Sequence, residues 1–392
     1  MLAPVAELLA KQGYRTDYFA LTTAKRYLDQ LGIDSFGYAD LPESQAPATG
    51  WAEHVALEHA PGGGPVSQKE SLAYHRVNLS ELARTYGEQE AATRFRTFGR
   101  QSFLPVEAMR SVLSRVRPRV VVATNSPRTE RALLQAAGEL GIPAVCVVDL
   151  FALQEVAWIA APNYAQRICV INETVKAMFI RSGRRDDEVV VTGNPAFDKL
   201  FAPDVGAAGR LIREERGWGT DRKTVLWASQ IEPLKHPFSD DIGDPSLPRR
   251  IEAVLREFVR DNANYRLVIR YHPSEQIAFE PDENVFFSPT TDKLPAVLHA
   301  VDLVVVTAST VGVEAHLMGR PVISVDCSIL RKDAPFSEMG VSVGVPQPED
   351  LPDAIRSVTD IERVQLADLG ERNISATEQV GGAIAELLAK QG

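Results

Sequence analysis

The sequence predicts an α/β protein of two domains, each organised around a doubly wound parallel sheet. Its 392 residues exceed the length of an ordinary single domain. Apolar, strand-like runs alternate with helix-like segments along most of the chain, and runs that are apolar throughout are typical of parallel strands covered on both faces. The alternation stops at 200–222, where Gly, Pro and charged residues mix, and then restarts, which indicates a domain boundary.

The composition is that of a globular protein and argues against several functional classes. Hydrophobic residues make up 45% of the chain and charged residues 24%, so each domain can bury a sizeable core. The net charge of -10 argues against broad binding to nucleic acid or to an anionic membrane. No apolar run approaches the roughly 20 residues of a membrane span, so any membrane contact would be peripheral. Nothing in the pattern indicates an oligomeric state.

Cysteine usage and missing motifs narrow the classes further. Cys146, Cys169 and Cys327 lie far apart in apolar runs, without a C-x-x-C pair or a signal peptide, which indicates reduced thiols in a cytoplasmic protein. The sequence contains no phosphate-binding G-x-x-x-x-G-K-[ST], no dinucleotide-binding G-x-G-x-x-G and no His/Cys cluster with metal-ligand spacing.

The N-terminal domain is predicted over 1–205. It begins with an amphipathic helix, "VAELLAKQG", and a strand near 16–21, but no strand precedes this helix. We therefore expect the fold to lack the first strand of an ordinary doubly wound domain, with a true start upstream of the given sequence as the alternative. A helix, a short strand "SFGYA" and a Gly/Pro-rich loop at 41–66 follow, and 68–117 read as helices. The remaining strands are "RVVVAT", "IPAVCVVDL", "RICVI" and "EVVVTG", with helices between them.

The C-terminal domain is predicted over 206–370, and 371–392 are predicted to form a helix that packs back on the N-terminal domain. The predicted strands are "TVLWAS", "YRLVIRYH", "VFFSP", "DLVVVT" and "PVISVD", with a polar loop at 230–246 and a helix at 248–262. In such Rossmann-like sheets ligands bind outside the carboxyl ends of the strands. With two such domains, we expect the site in the cleft that they face.

The segment "TAST" carries the most informative side chains. A strand ends at Thr307 and a helix begins near Ser309 or Thr310, so hydroxyl groups stand beside free backbone N–H groups at a helix N-terminus, which suits a phosphate. Capping by Ser309 is the alternative and accounts for one hydroxyl. Capping does not account for Glu314, whose carboxylate could accept two hydrogen bonds from a ribose diol. A solvated helix position is the alternative for that residue.

A second segment, "RLVIRYHPSE", ends a predicted strand with Arg270 and His272. Pro273 holds the preceding residue extended. A histidine at a strand's carboxyl end could donate a hydrogen bond to a phosphate and protonate a leaving oxygen. A surface histidine before a turn is the alternative. Ser229 and Gln230 end the strand "TVLWAS" and would join the same edge of the sheet.

With these segments the chain resembles the GT-B glycosyltransferases, two-domain enzymes that use nucleotide sugars without a metal. The resemblance lies in "DKLPAVLHAVDLVVVTASTVGVEAHLMGRPVISVD" (292–326) and in "VVVTGNPAFDKL" (189–200). "RYHPSE" resembles the His-Pro motif of bacterial capsule and sialic-acid-type transferases and of polyol-phosphate polymerases. The segment 189–200 also resembles the non-hydrolysing UDP-N-acetylglucosamine 2-epimerases, which share the fold.

The resemblance implies roles for particular residues. Ser309 and Thr310 would meet the donor diphosphate, Glu314 the ribose, and His272 a donor phosphate. The remaining candidates for the donor site are the strand-end residues Ser229, Gln230, Arg270 and Thr307. The resemblance implies a nucleotide sugar as substrate and neither a cofactor nor a metal.

The resemblance also implies that the catalytic base of an inverting enzyme comes from the first domain. The strand and Gly-rich turn that face the acceptor in the family are missing here, so the candidates are His54, His59 and Asp149. His59 lies beside "APGGGP", a loop flexible enough to close over a substrate, and a solvated loop histidine is the alternative.

The expected function is transfer of a sugar from a nucleotide-sugar donor to a glycan, lipid-linked or small-molecule acceptor, in the biosynthesis of a surface polysaccharide or a secondary metabolite. The sequence leaves two alternatives open. One is a sugar-nucleotide epimerase of the UDP-N-acetylglucosamine 2-epimerase type, and the other is a non-catalytic scaffold with the GT-B fold.

Overall fold

A computed structural model describes the chain except for residues 22, 46, 49, 61–65, 237–238, 361–374 and 391–392. The chain divides into two compact units. The first comprises Met1–Pro195 together with Ala376–Gly392, and the second comprises Ala196–Ser375. The divisions predicted from the sequence lie at 205 and 370.

The first unit combines a parallel sheet with a largely helical N-terminal half. Its helices are α1 (Ala3–Lys11), α2 (Thr23–Gln30), α3 (Pro42–Gln45), α4 (Gly50–Glu58), α5 (Gln68–Tyr86), α6 (Glu88–Phe98), α7 (Val106–Val116), α8 (Thr129–Glu139), α9 (Val156–Ile159) and α10 (Glu173–Arg181). Its strands are β1 (Val121–Thr124), β2 (Ala144–Val147), β3 (Arg167–Val170) and β4 (Val189–Val191), and they pair in that order. All pairs are parallel, as the apolar runs predict.

The two strands predicted upstream of this sheet are wrong. They are reduced to one isolated parallel bridge between Phe19 and Phe36. The chain turns into a 3-10 helix at Tyr38–Asp40 because Glu70 accepts hydrogen bonds from the backbone N–H groups of Tyr38 and Ala39, both at 2.8 Å. Backbone groups engaged by a side chain are not free for a strand ladder.

The loop predicted at 41–66 is also wrong in part, because α3 and α4 lie within it. In α4, Ala52, Val55 and Ala56 are buried in one core with Leu79 and Leu82 of α5, and this packing stabilises a helix in a segment rich in Gly and Pro. The "PGGGP" stretch, 61–65, lies outside the described residues.

The second unit contains the larger sheet. Its helices are α11 (Val205–Glu215), α12 (Leu247–Asp261), α13 (Leu294–Ala300), α14 (Val311–Leu317) and α15 (Leu351–Asp360). Its strands are β5 (Lys223–Ala228), β6 (Tyr265–Arg270), β7 (Val285–Phe287), β8 (Leu303–Val306), β9 (Val322–Val325) and β10 (Val343–Val345).

The strand order of this sheet is β10-β9-β8-β5-β6-β7, and every pair is parallel. The chain runs outward from β5 to β7 and then returns to the other side of β5 with β8. Read from β7, this is the order of a Rossmann sheet, and β5 and β8 form its topological switch point. The predicted fold class, two Rossmann-like α/β domains, is confirmed.

Neither α11 nor β10 is predicted from the sequence. The Gly and charged residues of 200–222 indicate a domain boundary, yet Gly209 lies inside α11, where a β-carbon would stand 2.6 Å from the Cβ of His299. This glycine therefore permits close packing of α11 on α13. The edge strand β10 has two exposed residues, Val343 and Gly344, so it lacks the fully apolar pattern of its neighbours.

The last helix, α16 (Ala376–Ala389), lies in the first unit. Val380 and Ile384 of α16 share a buried core with Val5 and Leu9 of α1. The octapeptide "AELLAKQG" occurs at 6–13 and again at 385–392, so its two copies belong to helices that pack in one core. No helix among the described residues is long and apolar enough to cross a membrane.

Candidate functional site

The carboxyl ends of β5 and β8 form the centre of the candidate site in the second unit. β5 is followed by Ser229, which is buried, and by Gln230. β8 is followed by Thr307, also buried, whose hydroxyl lies 3.4 Å from the side-chain oxygen of Gln230. A polar contact therefore spans the topological switch point, the place where such sheets leave a crevice for ligands.

A buried carboxylate, Glu275, organises the neighbouring edge. Its Oε2 accepts the backbone N–H of His272 at 2.7 Å, and its Oε1 accepts the hydroxyl of Ser229 at 3.0 Å. Arg249 donates from Nη2 both to Glu275 Oε1 and to the Ser229 hydroxyl, each at 2.9 Å. Glu275 thus fixes the turn after β6 to the end of β5.

Sequence reasoning misses Glu275 and Arg249. Glu275 is visible in the sequence as the last residue of "RYHPSE", but its partners Arg249 and Ser229 lie far away along the chain. The Glu275 side chain is only 6% exposed and is compensated by the Arg249 guanidinium. The pair is therefore a positioning device for the turn that carries His272.

His272 itself is exposed, and its hydrogen bond shows which ring nitrogen carries the hydrogen in the neutral form. Its Nδ1 lies 3.2 Å from the backbone N–H of Ser274, so Nδ1 accepts a hydrogen bond. In the neutral ring the hydrogen must therefore be on Nε2. His272 presents an N–H donor to solvent at the carboxyl end of β6 without needing to be protonated.

Arg270 is held by the protein itself. Its guanidinium donates to the hydroxyl of Ser288 at 3.0 Å and to the carbonyl oxygens of Pro289 and Asp292 at 2.8 and 3.2 Å. Burial lowers the pKa of Arg270, and Asp292 acts in the opposite direction. These hydrogen bonds hold the segment after β7 in place. A contact between Arg270 and a ligand stays a prediction.

The "TAST" segment leads from β8 into α14. Ser309 is half-buried and Thr310 exposed, and α14 begins at Val311. The hydroxyl of Ser309 lies 3.4 Å from the Val311 N–H, while Thr310 makes no capping hydrogen bond with its side chain. A β-carbon at Gly312 would stand 3.0 Å from Val306 and 3.2 Å from the Phe336 ring. Glycine therefore lets the start of α14 lie close to the end of β8.

Glu314 is the most unusual side chain of this site. It is only 8% exposed, and its Oε2 is inaccessible and has no hydrogen-bond partner in the described part of the chain. Burial raises the pKa of this carboxyl, and Lys199 acts in the opposite direction. Because Glu314 is buried, the alternative of a solvated helix position is wrong. A buried carboxylate without a hydrogen-bond partner is unfavourable.

The candidate bases lie in the first unit. Asp149 follows β2, and its side chain is exposed. Its backbone N–H donates to Asn125 at 2.9 Å, its carbonyl accepts from Asn194 at 2.7 Å, and its carboxylate accepts the Leu150 N–H at 2.7 Å. These contacts fix the carboxylate at the carboxyl edge of the first sheet.

His54 and His59 belong to α4 and the turn that follows it, and both are exposed. The Nδ1 of His59 lies 3.1 Å from the carbonyl oxygen of Val55, and its ring packs edge-on against Phe95 with 5.2 Å between centroids. His59 is thus an ordered side chain on a helical surface. Its role as a base, like that of Asp149, stays a prediction.

The described residues contain no group of three or more His, Cys, Asp or Glu side chains arranged to hold a metal ion. The second unit instead gathers backbone N–H groups, hydroxyls, the imidazole of His272 and two buried carboxylates, Glu275 and Glu314, at the ends of β5, β6 and β8 and in the first turn of α14. Such a set can hydrogen-bond an anion and a diol. That the protein requires no metal stays a prediction.

No family model matches the sequence, and no curated protein matches it. Solved structures do match over almost the whole chain. UDP-GlcNAc 2-epimerase from Neisseria meningitidis, solved with UDP-GlcNAc bound, has a TM-score of 0.56 and 14% identity, covering 99% of this chain and 96% of that one.

Glycosyltransferases match equally well. The kitacinnamycin glycotransferase has a TM-score of 0.54 and 14% identity, covering 99% of this chain and 95% of that one. CalG4, the calicheamicin glycosyltransferase, has a TM-score of 0.53 and 14% identity, covering 99% and 94%. At such low identity the likeness establishes the fold alone. The chain therefore has the fold of two Rossmann-like domains that UDP-GlcNAc 2-epimerases share with GT-B glycosyltransferases.

Proposed function

We propose that the protein is a glycosyltransferase that moves a sugar from a nucleotide-sugar donor to an acceptor. The observation that carries the proposal is Glu314, a buried carboxylate whose Oε2 lacks a hydrogen-bond partner among the described residues. A ribose diol supplies two hydroxyl donors to such a carboxylate. The neighbouring groups at the ends of β6 and β8 suit the phosphates attached to that ribose.

Each group has a role in the proposed reaction. The bond between the anomeric carbon and the phosphate oxygen breaks, and a bond to an acceptor oxygen forms, so negative charge develops on the leaving nucleotide. The Nε2–H of His272 and the backbone N–H groups at the start of α14 stabilise that charge. Glu314 holds the ribose and thereby positions the phosphate. The acceptor's proton passes to a base, for which His54, His59 and Asp149 are the candidates.

The proposal requires no metal, because the charge on the leaving group is stabilised by N–H donors. Transfer should therefore persist after treatment with EDTA. Activity that is lost with EDTA and restored by magnesium or manganese would contradict this part of the proposal.

An epimerase would bind the same kind of nucleotide, and the 2-epimerases share the fold. Incubation with the donor alone separates the two activities. A transferase leaves the sugar's configuration unchanged without an acceptor, whereas an epimerase inverts it. Inversion in the absence of any acceptor would replace the transferase proposal by the epimerase.

Nucleotide binding is tested first, with UDP, CMP, CDP, GDP and dTDP in a thermal-shift panel. A ligand that binds only the folded state stabilises it by mass action and so raises the melting temperature. At a ligand concentration of 100 times the Kd, the free energy of unfolding rises by about 2.7 kcal/mol. We expect a rise with one base, and we expect Glu314→Ala to diminish it while Glu214→Ala, an exposed position on α11, leaves it unchanged. If none of these nucleotides raised the melting temperature, the result would favour the non-catalytic scaffold.

A further inference from the structure

The first unit contains a cavity that the proposed reaction does not use. It lies between one side of α8 and the segment 158–164, which leads from α9 towards β3, and its volume is about 310 Å³. This volume is at the lower end of the range that is typical of small-molecule sites. All the residues that line the cavity belong to the first unit, so it shares no side chain with the candidate donor site.

Two hydrogen-bond donors beside this cavity have no partner in the described part of the chain. They are the hydroxyl of Tyr164 and the indole Nε1–H of Trp158, and both atoms are inaccessible to bulk water. Tyr164 as a whole is only 6% exposed. Burial raises the pKa of Tyr164, whereas Arg131 and Trp158 act in the opposite direction and therefore lie close to its hydroxyl. A buried donor without an acceptor is unfavourable, so these two atoms indicate a ligand that supplies acceptor oxygens.

Arg131 gives the cavity a positive charge. Its guanidinium carbon lies 4.5 Å from the centroid of the Trp158 ring, and it forms no ion pair with any carboxylate that the structure describes. The carboxylate that lines the cavity, Glu139, is already paired with Arg110. A guanidinium that stacks on an aromatic face keeps the N–H groups of its edge available to a carboxylate. The charge of the cavity therefore favours an anionic ligand.

The walls of the cavity suit a flat, apolar ligand body. The rings of Trp158 and Tyr164 and the methyl group of Ala161 line it on one side. On the other side, a β-carbon at Gly138 would stand 2.3 Å from the carbonyl oxygen of Asn163. Glycine therefore allows α8 and the segment 158–164 to meet beside the cavity. Aromatic walls pack well against a planar ring.

We propose that this cavity binds an aryl carboxylate, a small molecule that combines a planar ring with one carboxylate group. The ring lies against the apolar walls, and the carboxylate accepts hydrogen bonds from the Arg131 guanidinium, the Tyr164 hydroxyl and the Trp158 indole. Because the two unpaired donors are shielded, the ligand reaches them when the side chain of Trp158, which is only half-buried, turns aside. The inference does not depend on the proposed function.

The test adds benzoate to the whole protein and follows the indole N–H signals of its four tryptophans by NMR. The variant Trp158→Phe assigns the relevant signal. We expect benzoate to shift the Trp158 signal until it saturates. Benzamide, which has the ring without the charge, and acetate, which has the charge without the ring, should each bind at least about tenfold more weakly, which corresponds to ~1.4 kcal/mol.

Two variants and a control test the residues. Arg131→Gln should weaken benzoate binding about tenfold, or ~1.4 kcal/mol. Arg94→Gln should leave it unchanged, and Arg94 is the matched control because it also stacks on an aromatic ring, that of Tyr86, at 4.1 Å from the centroid. Tyr164→Phe should weaken benzoate binding severalfold and leave the melting temperature of the ligand-free protein undiminished, because its hydroxyl has no partner to lose.

Several outcomes would overturn the inference. A Trp158 signal that does not respond to benzoate would do so in the wild type alone, without any variant that has to fold. Equal affinities for benzoate, benzamide and acetate, or equal affinity of the wild type and Arg131→Gln for benzoate, would also do so. A marked fall in the melting temperature of Tyr164→Phe would show that an internal water already satisfies the hydroxyl, and the argument for a ligand would then fail.

Discussion

Glu314 is buried at a position where an uncharged side chain would leave the folded protein more stable. Charged groups lose favourable hydration on burial. Hydrogen bonds replace little of that hydration for Glu314, since its Oε2 has no partner among the described residues. Residues that destabilise the free protein in this way often serve a ligand. The same side chain can therefore be tested for stability and for binding at once.

Replacing Glu314 with Gln should raise the free energy of unfolding at pH 7 by on the order of 1 kcal/mol, because a neutral amide loses less hydration on burial. The same variant should bind the nucleotide more weakly, since an amide accepts fewer hydrogen bonds from a diol. Urea denaturation and nucleotide titration measure the two effects. Glu214→Gln, at an exposed position of α11, is the control. A variant that is less stable and binds equally well would contradict the assignment.

The stability gain of Glu314→Gln should also depend on pH. The pKa of Glu314 is raised in the folded protein, so the folded state holds this proton more tightly than the unfolded chain. The stability from that proton is present below the unfolded pKa, about 4.3, and is lost as the pH rises through the folded pKa. Wild type and variant should therefore converge in stability near pH 4 and diverge towards pH 7. A constant difference from pH 4 to 7 would show that the charge is not its cause.

Glu275 acts through other groups rather than through a ligand. It accepts the His272 N–H at 2.7 Å and the Ser229 hydroxyl at 3.0 Å, and it pairs with Arg249. Glu275→Gln should destabilise the protein by about 2 kcal/mol, since hydrogen bonds to a charged group are lost in a buried place, and should weaken nucleotide binding severalfold.

The positioning role of Glu275 has a specific signature. Hydrogen exchange should show faster exchange of the His272 amide in Glu275→Gln, whereas Glu283→Gln, at an exposed position before β7, should leave it unchanged. Loss of binding with no change in that amide would place Glu275 in direct contact with the ligand instead.

At the scale of elements, the packing of α11 on α13 depends on one glycine. A β-carbon at Gly209 would stand 2.6 Å from both the Cβ and the Nδ1 of His299, whereas a β-carbon at Gly206, in the same helix, would come no closer than 3.5 Å to any atom. Helix propensity favours alanine over glycine at both positions, so sterics alone distinguish them.

Gly209→Ala should therefore destabilise the second unit by roughly 1–3 kcal/mol through overpacking. Gly206→Ala should stabilise it by up to about 1 kcal/mol. Thermal unfolding of the two variants measures both. Equal stabilisation by the two substitutions would mean that α11 and α13 can move apart to accommodate the added methyl group without loss of stability.

The same elements show how far the sequence alone reaches. The strands β5, β6, β8 and β9 follow from apolar runs that end in polar residues, and the positions of Ser229, Thr307 and His272 at one edge follow from parallel pairing. α11 does not follow, because Gly209 lowers its intrinsic propensity and the compensating contact comes from His299, far along the chain. Glu275 is missed for the same reason, since its meaning depends on Arg249. The burial of Glu314 is likewise a property of the packed protein and is not visible in its local pattern.

At the scale of the whole molecule, the first unit is built from two separate stretches of chain. Leu387 and Leu388 of α16 share one buried core with Val145 and Val147 of β2 and with Cys169 of β3. Burial of apolar area is the main stabilising contribution in such a core. The sheet of the first unit therefore depends on residues that follow the entire second unit in sequence.

Deleting 376–392 should unfold the first unit while the second unit still binds the nucleotide. Limited proteolysis should then cleave within 120–195 and spare 223–345, and the nucleotide-dependent thermal shift should persist. Deleting only 390–392 is the control, since it leaves all of α16 (Ala376–Ala389) in place. Resistance of 120–195 to proteolysis after the longer deletion would show that the sheet is stable without α16.

The late position of α16 also bears on how the protein is made. A ribosome releases the N-terminal stretch first, but the helix that covers β2 and β3 is translated last. The segment Ala196–Ser375 is complete before that helix emerges, so the order of maturation is expected to reverse the order of synthesis. During this interval the nascent first unit exposes the apolar side chains of Val145 and Val147, which makes it a natural client for a chaperone that shields hydrophobic surface.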